Sequence, residues 1–250
     1  MLLRNWVLAF LTPRPLLGVL YLPRYFRHWR EYSRAAGING REAAPRFADS
    51  YPCLGDWTST TPFDAHYFYQ GAWLARRVAG RKPAQHVDVG SSALTLSVLS
   101  ATTSVLHVDY RPLQAALPGL RCIAGDILDL PAEAKNAASL SCLHVIEHIG
   151  LGRYGDPIDP EGSRKAAAGL ARALAPQGRL YLSVPVGRER VCFNAHRVFA
   201  PESIVAMFCG LRLEGFALVD DAGRYHESAR PEMARGLDYG CGMFEFSRPA

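Results

Sequence analysis

The feature that most constrains this chain is a series of short apolar runs alternating with helical segments from residue 86 onward. His86-Val87-Asp88-Val89 reads as a strand entering Gly90, Leu94 to Leu99 as a helix, and Val105 to Asp109 as a second strand. Arg121 to Ala124 and Leu140 to Val145 continue the series. Gly162 to Ala175 suits a helix followed by Gly178, and Leu180 to Val184 a fifth strand stopped by Pro185. After a helix over Pro201 to Phe208, Phe216 to Val219 and Met243 to Phe246 suit an antiparallel pair. Strands separated by helices imply parallel crossovers. The expectation is an α/β doubly wound sheet, mostly parallel, with an antiparallel strand at its edge.

The chain has 250 residues, 49% of them hydrophobic, enough to bury one sizeable domain and an extension. Residues 1–60 read as a partly helical N-terminal extension and residues 61–250 as the sheet domain. Thr61-Pro62 opens a helix, with Thr as N-cap, Pro at the first helical position and Asp64 in the first turn. That helix runs toward Val78 and stops near Gly80.

In the extension, Trp6 to Leu11 and Leu16 to Leu22 are apolar, but Thr12-Pro13-Arg14-Pro15 separates them. Neither run approaches the ~20 residues of a membrane span, and no small-residue cleavage site closely follows the first. From Tyr21 to Arg30 arginines alternate with aromatic residues. Two readings stand: residues 1–36 contact an anionic membrane surface peripherally, or this helix packs on the domain with its arginines in water. The net charge of +5 is modest, and the aromatic-basic cluster lies outside the sheet domain, so no nucleic acid partner is expected. None of the six cysteines forms a C-x-x-C pair or a zinc-type spacing. They point to a reducing, cytoplasmic compartment and to no metal.

In doubly wound sheets ligands bind beyond the C-terminal strand ends at the switch point. The expected strand ends carry a suitable set of residues. Gly90, after Asp88-Val89, permits a tight turn and close ligand approach, and Ser91 and Ser92 lead into a helix N-terminus. Asp109 lies 109 − 88 = 21 residues after Asp88, where an acid accepts from ribose hydroxyls. Asp126 follows the third strand and could accept from an adenine amine, with Ile127 against the ring. A single Asp at a strand end is also ordinary turn chemistry.

Val87-Asp88-Val89-Gly90-Ser91-Ser92, Asp109, Gly125-Asp126-Ile127-Leu128-Asp129-Leu130-Pro131 and His144-Val145-Ile146-Glu147-His148 resemble the ordered motifs of class I S-adenosylmethionine-dependent methyltransferases, a Rossmann-like superfamily. The resemblance spans about residues 84–220. A closer likeness is to a little-characterised subgroup. It is carried by Thr61 to Tyr67, by Ile149-Gly150-Leu151-Gly152-Arg153-Tyr154-Gly155-Asp156-Pro157 and by Phe193-Asn194-Ala195-His196-Arg197. The resemblance implies S-adenosylmethionine as cofactor, with Asp88 and Gly90 at its methionine end, Asp109 at the ribose and Asp126 at the adenine. His144 joins that cofactor set. Ser91 and Ser92 stand where a second glycine is usual, and their hydroxyls can donate to a carboxylate. NAD(P) competes for this fold, but G-x-G-x-x-G is absent.

On the substrate side, His148 is the expected general base, or a structural histidine with a backbone partner. Asp156 is a second catalytic candidate, and it and Asp159 are alternatively turn residues. Tyr154, Arg190, Asn194 and His196 are candidates to grip a small-molecule or glycan-type substrate, or members of a solvated loop. His66 and Tyr67 close over the site by the same resemblance, with core packing as the alternative. H-x-x-E-H also matches an inverted zinc-peptidase pattern, which needs both histidines on one helical face. The expected activity is methyl transfer to an unknown acceptor, with a sugar or glycan hydroxyl preferred. The rival is a non-catalytic binding module, suggested by the serines in the glycine loop.

Overall fold

A computed structural model of the protein describes residues 15–39 and 44–250. The expected apolar run Trp6 to Leu11 and the break at Thr12 to Arg14 lie outside the described residues. The chain divides into two compact units, Met1–Phe63 and Asp64–Ala250. In the first, helix α1 (Pro15–Asn39) contains Pro23. The Arg24 guanidinium lies 4.7 Å from the Tyr21 ring and 4.3 Å from the Trp57 ring, and donates to the Leu54 carbonyl at 3.1 Å. Trp29 meets Phe47 edge-on at 6.1 Å. The Arg-aromatic alternation therefore builds contacts within its own unit, while Val19, Leu20 and Phe26 stay exposed. No helix among the described residues is long and apolar enough to cross a membrane.

The second unit opens with α2 (Ala65–Arg81), whose N-cap is Asp64 rather than Thr61. The Asp64 carboxylate accepts from the Tyr67 N–H at 3.1 Å. A charged acceptor at the positive helix end favours this start. Lys82, in the left-handed region at φ 49°, ends the helix. The strands are β1 (Gln85–Val89), β2 (Ser104–Asp109), β3 (Leu120–Ala124), β4 (Ala137–Leu143), β5 (Leu174–Val186), β6 (Arg190–Cys192), β7 (His196–Val198), β8 (Arg212–Val219), β9 (Tyr225–His226) and β10 (Gly240–Ser247). Helices α3 (Ala93–Leu99), α4 (Gly162–Ala173) and α5 (Pro201–Met207) intervene.

The main sheet has the order β3-β2-β1-β4-β5-β10-β8-β9, and β6 and β7 form a separate hairpin. Strands β1 to β5 pair in parallel, and β10 is antiparallel to both β5 and β8. This is the Rossmann-like doubly wound sheet, with antiparallel strands gathered at one side. The final strand is not outermost: β10 inserts between β5 and β8, and the short β9 forms that edge. Pro185 does not stop β5. Its carbonyl accepts from Phe199 N–H at 3.0 Å, so its missing N–H points to that same side, beyond the end of β4. No ladder bond is lost there.

Two apolar cores follow from the alternation of side chains across the sheet. Leu180, Leu182 and Val184 pack with Leu170 of α4 and Ile204 of α5. On the other face, Trp73, Leu74 and Val78 of α2 and Leu96 and Leu99 of α3 pack with Tyr181. Burial of each such side chain contributes roughly 1.5–3 kcal/mol.

Beside these cores runs a buried polar row. His86 Nδ1 lies 2.7 Å from Ser139 Oγ and its Nε2 lies 2.8 Å from Ser141 Oγ. Ser141 in turn donates to Asp88. One consistent chain has Ser139 donating to a neutral His86, and His86 Nε2–H donating to Ser141. Burial brings His86 down to about 4. Between about pH 6.5 and pH 4 the unfolded chain therefore takes up a proton there that the folded chain does not, and stability falls as pH falls. Urea denaturation from pH 7 to pH 4 is expected to show a loss to which His86 contributes about 3 kcal/mol. His86→Gln should flatten that slope, and an unchanged slope would remove His86 as its source.

Candidate functional site

The tips of β1, β2 and β4 and the loop after β3 open on one pocket, at the switch point between β1 and β4. It has a cavity volume of about 230 Å³ and is lined by Gly90, Asp109, Asp126, Ile127, His144, His148, Tyr154 and Asp156, among others. Gly90 sits at φ +70°, and a Cβ there would come within 3.1 Å of both Val145 methyls and 3.7 Å of Asp109 Oδ2. The bare backbone thus leaves a cradle between the turn and the Asp109 carboxylate. Asp109 Oδ1 accepts from Arg111 N–H at 2.7 Å, and Asp126 Oδ1 accepts from Leu128 N–H at 2.8 Å. Each carboxylate is oriented by a backbone donor on one oxygen.

Asp88, Ser91 and Ser92 do not line this pocket, a correction to the roles expected of them. Asp88 is fully buried. Its carboxylate accepts from Ser91 N–H at 3.1 Å, Ser91 Oγ at 2.6 Å, His107 Nδ1 at 3.0 Å and Ser141 Oγ. Burial opposes its charge, but the bonds from His107, Ser141 and Ser91 outweigh it and keep its pKa below the usual carboxylate value. Ser91 does donate to a carboxylate, but that carboxylate is Asp88, and Ser91 Oγ also accepts from Leu143 N–H at 3.0 Å. Ser92 precedes α3 as its N-cap without a side-chain capping bond. This network shapes the turn and leaves the contact surface to Gly90.

After β4 the chain makes successive turns, with His148 N–H bonded to Val145 O and Ile149 N–H to Ile146 O. The helix that inverted zinc-peptidase chemistry requires does not form. His144, at φ 54°, and His148 instead flank Glu147. His144 Nδ1 lies 2.9 Å and His148 Nε2 3.8 Å from Glu147 Oε1. Glu147 is fully buried, and its Oε2 has no hydrogen-bond partner among the described residues. His148 Nδ1–H donates to the Ala195 carbonyl at 2.6 Å, which leaves Nε2 as the basic nitrogen. Burial lowers the pKa of His148 despite Glu147. Burial also opposes a charge on His144, but Cys241 and Glu147 bring that imidazole up to about 10.

Arg197 holds this loop. It is 7% exposed, and its guanidinium donates to the carbonyls of Glu147, Ile149, Asp159 and Pro160 and to Ser163 Oγ, with Ile149 O nearest at 2.7 Å. Asp156 accepts from the N–H groups of Gly150, Gly152 and Tyr154. Asp159 accepts from Glu161 N–H and pairs with Lys165. Both carboxylates have the turn chemistry that was the alternative for them, although both also line the pocket.

The other substrate-side candidates separate into two groups. Arg190 donates to the Arg188 and Asp238 carbonyls, and Asn194 Nδ2 to Leu151 O at 3.4 Å, so both tie loops together. His66, Tyr67, Tyr154 and His196 surround the histidine-glutamate turn. Tyr67 stacks on His144 at 5.6 Å, His66 on Tyr239 at 5.2 Å, and His196 lies 5.0 Å from Tyr239. Tyr154 lies between the Arg111 guanidinium, 4.5 Å from its ring, and the His148 ring at 5.6 Å. Arg197 stood in the Phe193 to Arg197 string as part of a candidate substrate grip, and it clamps the loop instead. Sequence reading gave no role to Glu147, Tyr239 or Cys241. The signal available for Glu147 was its place in H-x-x-E-H, and nothing local marks the other two.

A family model described as "Caenorhabditis protein of unknown function, DUF268" matches residues 132–225, short of half the chain. No curated protein has a sequence that matches this one. Among solved structures, the chain is similar to the N-methyltransferase NodS from Bradyrhizobium japonicum WM9, in complex with S-adenosyl-L-homocysteine. That likeness has 13% identity and a TM-score of 0.54, over 88% of this chain and 99% of that one. It is also similar to a Galdieria sulphuraria protein assigned as a sarcosine dimethylglycine methyltransferase, at 16% identity and a TM-score of 0.52, over 73% and 86%. YcgJ from Bacillus subtilis matches at 13% identity and a TM-score of 0.51, over 73% and 99%. At these identities the likeness establishes the fold: a Rossmann-like methyltransferase fold.

The Arg197 clamp yields a stability prediction. Lysine keeps the charge but cannot spread donors over the same carbonyls. Arg197→Lys is expected to cost on the order of 3 kcal/mol in urea denaturation, since buried acceptors lose charge-assisted bonds. Amide exchange of residues 147–160 should quicken more than that of the sheet. Uniform quickening across both would refute a local clamp.

Proposed function

We propose that this protein is a methyltransferase that uses S-adenosylmethionine and transfers its methyl group to a hydroxyl of a sugar or glycan-linked acceptor. The observation that carries the reading is the pocket at the switch point, where Gly90 offers bare backbone beside Asp109 and where Asp126 and Ile127 line the next strand end. These residues fit the cofactor. Asp109 Oδ2 is suited to the ribose hydroxyls, Asp126 to the adenine amine, and Ile127 to the face of the ring. When bound, the cofactor supplies an electrophilic methyl group on a sulfonium.

The chain's own residues do the rest. The turn at Gly90 admits the methionine end without a side chain in the way. His148, with Nδ1–H held by the Ala195 carbonyl, has Nε2 free to accept an acceptor's proton at the pocket wall. Its pKa, lowered by burial, keeps it neutral and ready at pH 7. Tyr67, Tyr154 and His196 supply aromatic and polar surface of the kind that receives sugars. Ser91 lies in the Asp88 network away from the pocket, so the substitution that suggested a binding-only module leaves the cradle intact. We place the protein in the cytoplasm, with peripheral membrane contact through residues 1–36. The exposed Val19, Leu20 and Phe26 and the arginines of α1 support that contact, and flotation with anionic liposomes tests it.

Calorimetry with S-adenosylhomocysteine is expected to show binding that weakens at least about tenfold in Asp109→Ala, the loss of a charge-assisted pair of hydrogen bonds. His148→Ala should leave that binding unchanged and reduce turnover of labelled S-adenosylmethionine about 10²–10⁴-fold with a glycan or lipid-glycan fraction as acceptor. No wild-type binding at millimolar ligand would sink the cofactor reading. Undiminished turnover in the His148 variant would remove it as the base.

A further inference from the structure

The fold brings together three metal-ligating side chains that are remote in sequence. They are His66 in the first turn of α2, His144 just after β4, and Cys241 in β10. We infer that they bind one zinc ion, whichever group the protein transfers. One ligating atom from each lies within 4.8 Å of the others. The closest pair, His144 Nε2 and Cys241 Sγ, is 3.4 Å apart. A tetrahedral zinc with Zn–N of about 2.0–2.1 Å and Zn–S of about 2.3 Å has an N···S edge of roughly 3.6 Å. That pair already stands at ligating separation, and His66 needs only a small adjustment in a half-buried position to complete the face.

A second observation points to the same ion. Glu147 is fully buried, its Oε1 lies 2.9 Å from His144 Nδ1, and its Oε2 has no hydrogen-bond partner among the described residues. A carboxylate behind a ligating imidazole fixes its tautomer and raises its basicity, and this is the usual support of a histidine bound to zinc. The His66 ring is held from its other side by stacking on the Tyr239 ring at 5.2 Å. His144 thus has Nδ1 engaged by Glu147 and Nε2 turned toward Cys241.

The donor chemistry selects the metal. Two imidazoles and a thiolate suit zinc and disfavour magnesium and calcium, which take oxygen ligands. On binding, the Cys241 thiol and His144 Nε2 each lose a proton to solvent, and the sulfur and that nitrogen bond the ion with no change in oxidation state. Three protein ligands leave a fourth position for water or for an atom of a bound molecule.

The test uses tag-free, full-length protein stripped with a chelator and then titrated with zinc or cobalt(II). The expected result is one equivalent of zinc, and a cobalt spectrum with tetrahedral bands and a thiolate-to-metal charge-transfer band. Cys241→Ser should abolish the charge-transfer band. Cys241 is buried, so His66→Ala provides a variant at a more tolerant position, and it should weaken zinc at least tenfold with circular dichroism unchanged. Glu147→Gln should weaken it about 10–100-fold. A folded wild-type protein that binds no zinc, a cobalt complex without the thiolate band, or unchanged affinity in His66→Ala would each overturn the site. None of these readouts depends on methyl transfer.

Discussion

The buried Asp88 carboxylate is the constraint on which the rest of the sheet domain depends. A charge taken wholly out of water costs several kcal/mol unless its lone pairs are filled. Here they are filled by Ser91 of the turn, His107 of β2 and Ser141 of β4. These donors join the three strands whose tips form the switch point, so meeting the electrostatic demand of one side chain aligns the strand ends. His86, Ser139 and Ser141 extend the same row toward the other end of β1 and β4. The pocket inherits its geometry from this network, and Asp88 itself does not line it.

A second set of bonds does for the far wall what Asp88 does for the near one. The loop after β4 has almost no regular structure, and its carbonyls would otherwise lie buried without donors. Arg197 supplies them, and Asp156 supplies the acceptors for the N–H groups of the following turn. Gly150, at φ +83°, lets the loop lie against the backbone at Asp159, whose carbonyl a Cβ would strike. Rigid loops of this kind can hold His144, Glu147 and His148 at fixed separations, which is what either proton transfer or metal ligation requires.

Most of the secondary structure was legible because hydrophobic period is a local property. Strands β1, β2 and β3, helix α3 and the antiparallel pairing of β8 with β10 all followed from runs of a few residues. The errors lie where a tertiary partner decided the outcome. Asp64 took the cap from Thr61 because its carboxylate reaches the Tyr67 N–H. Pro185 stayed within β5 because its missing donor falls where no strand pairs. The place of β10 inside the sheet depends on how strands shuffle, which no local pattern encodes. In the pocket, Gly90, Asp109, Asp126, Ile127, His144 and His148 were all recognisable and all face it.

By itself, then, the sequence determined which residues end the strands and so which turns and acids can meet a ligand, because chain order and period are written in it directly. Only the tertiary structure decided what each of those acids does. Asp88 and Asp109 look alike at two strand ends, yet one is sealed among donors and the other opens on the pocket. The same holds for Glu147, Arg197 and the meeting of His66, His144 and Cys241. Burial and the approach of distant segments assign these roles, and both are properties of the folded chain alone.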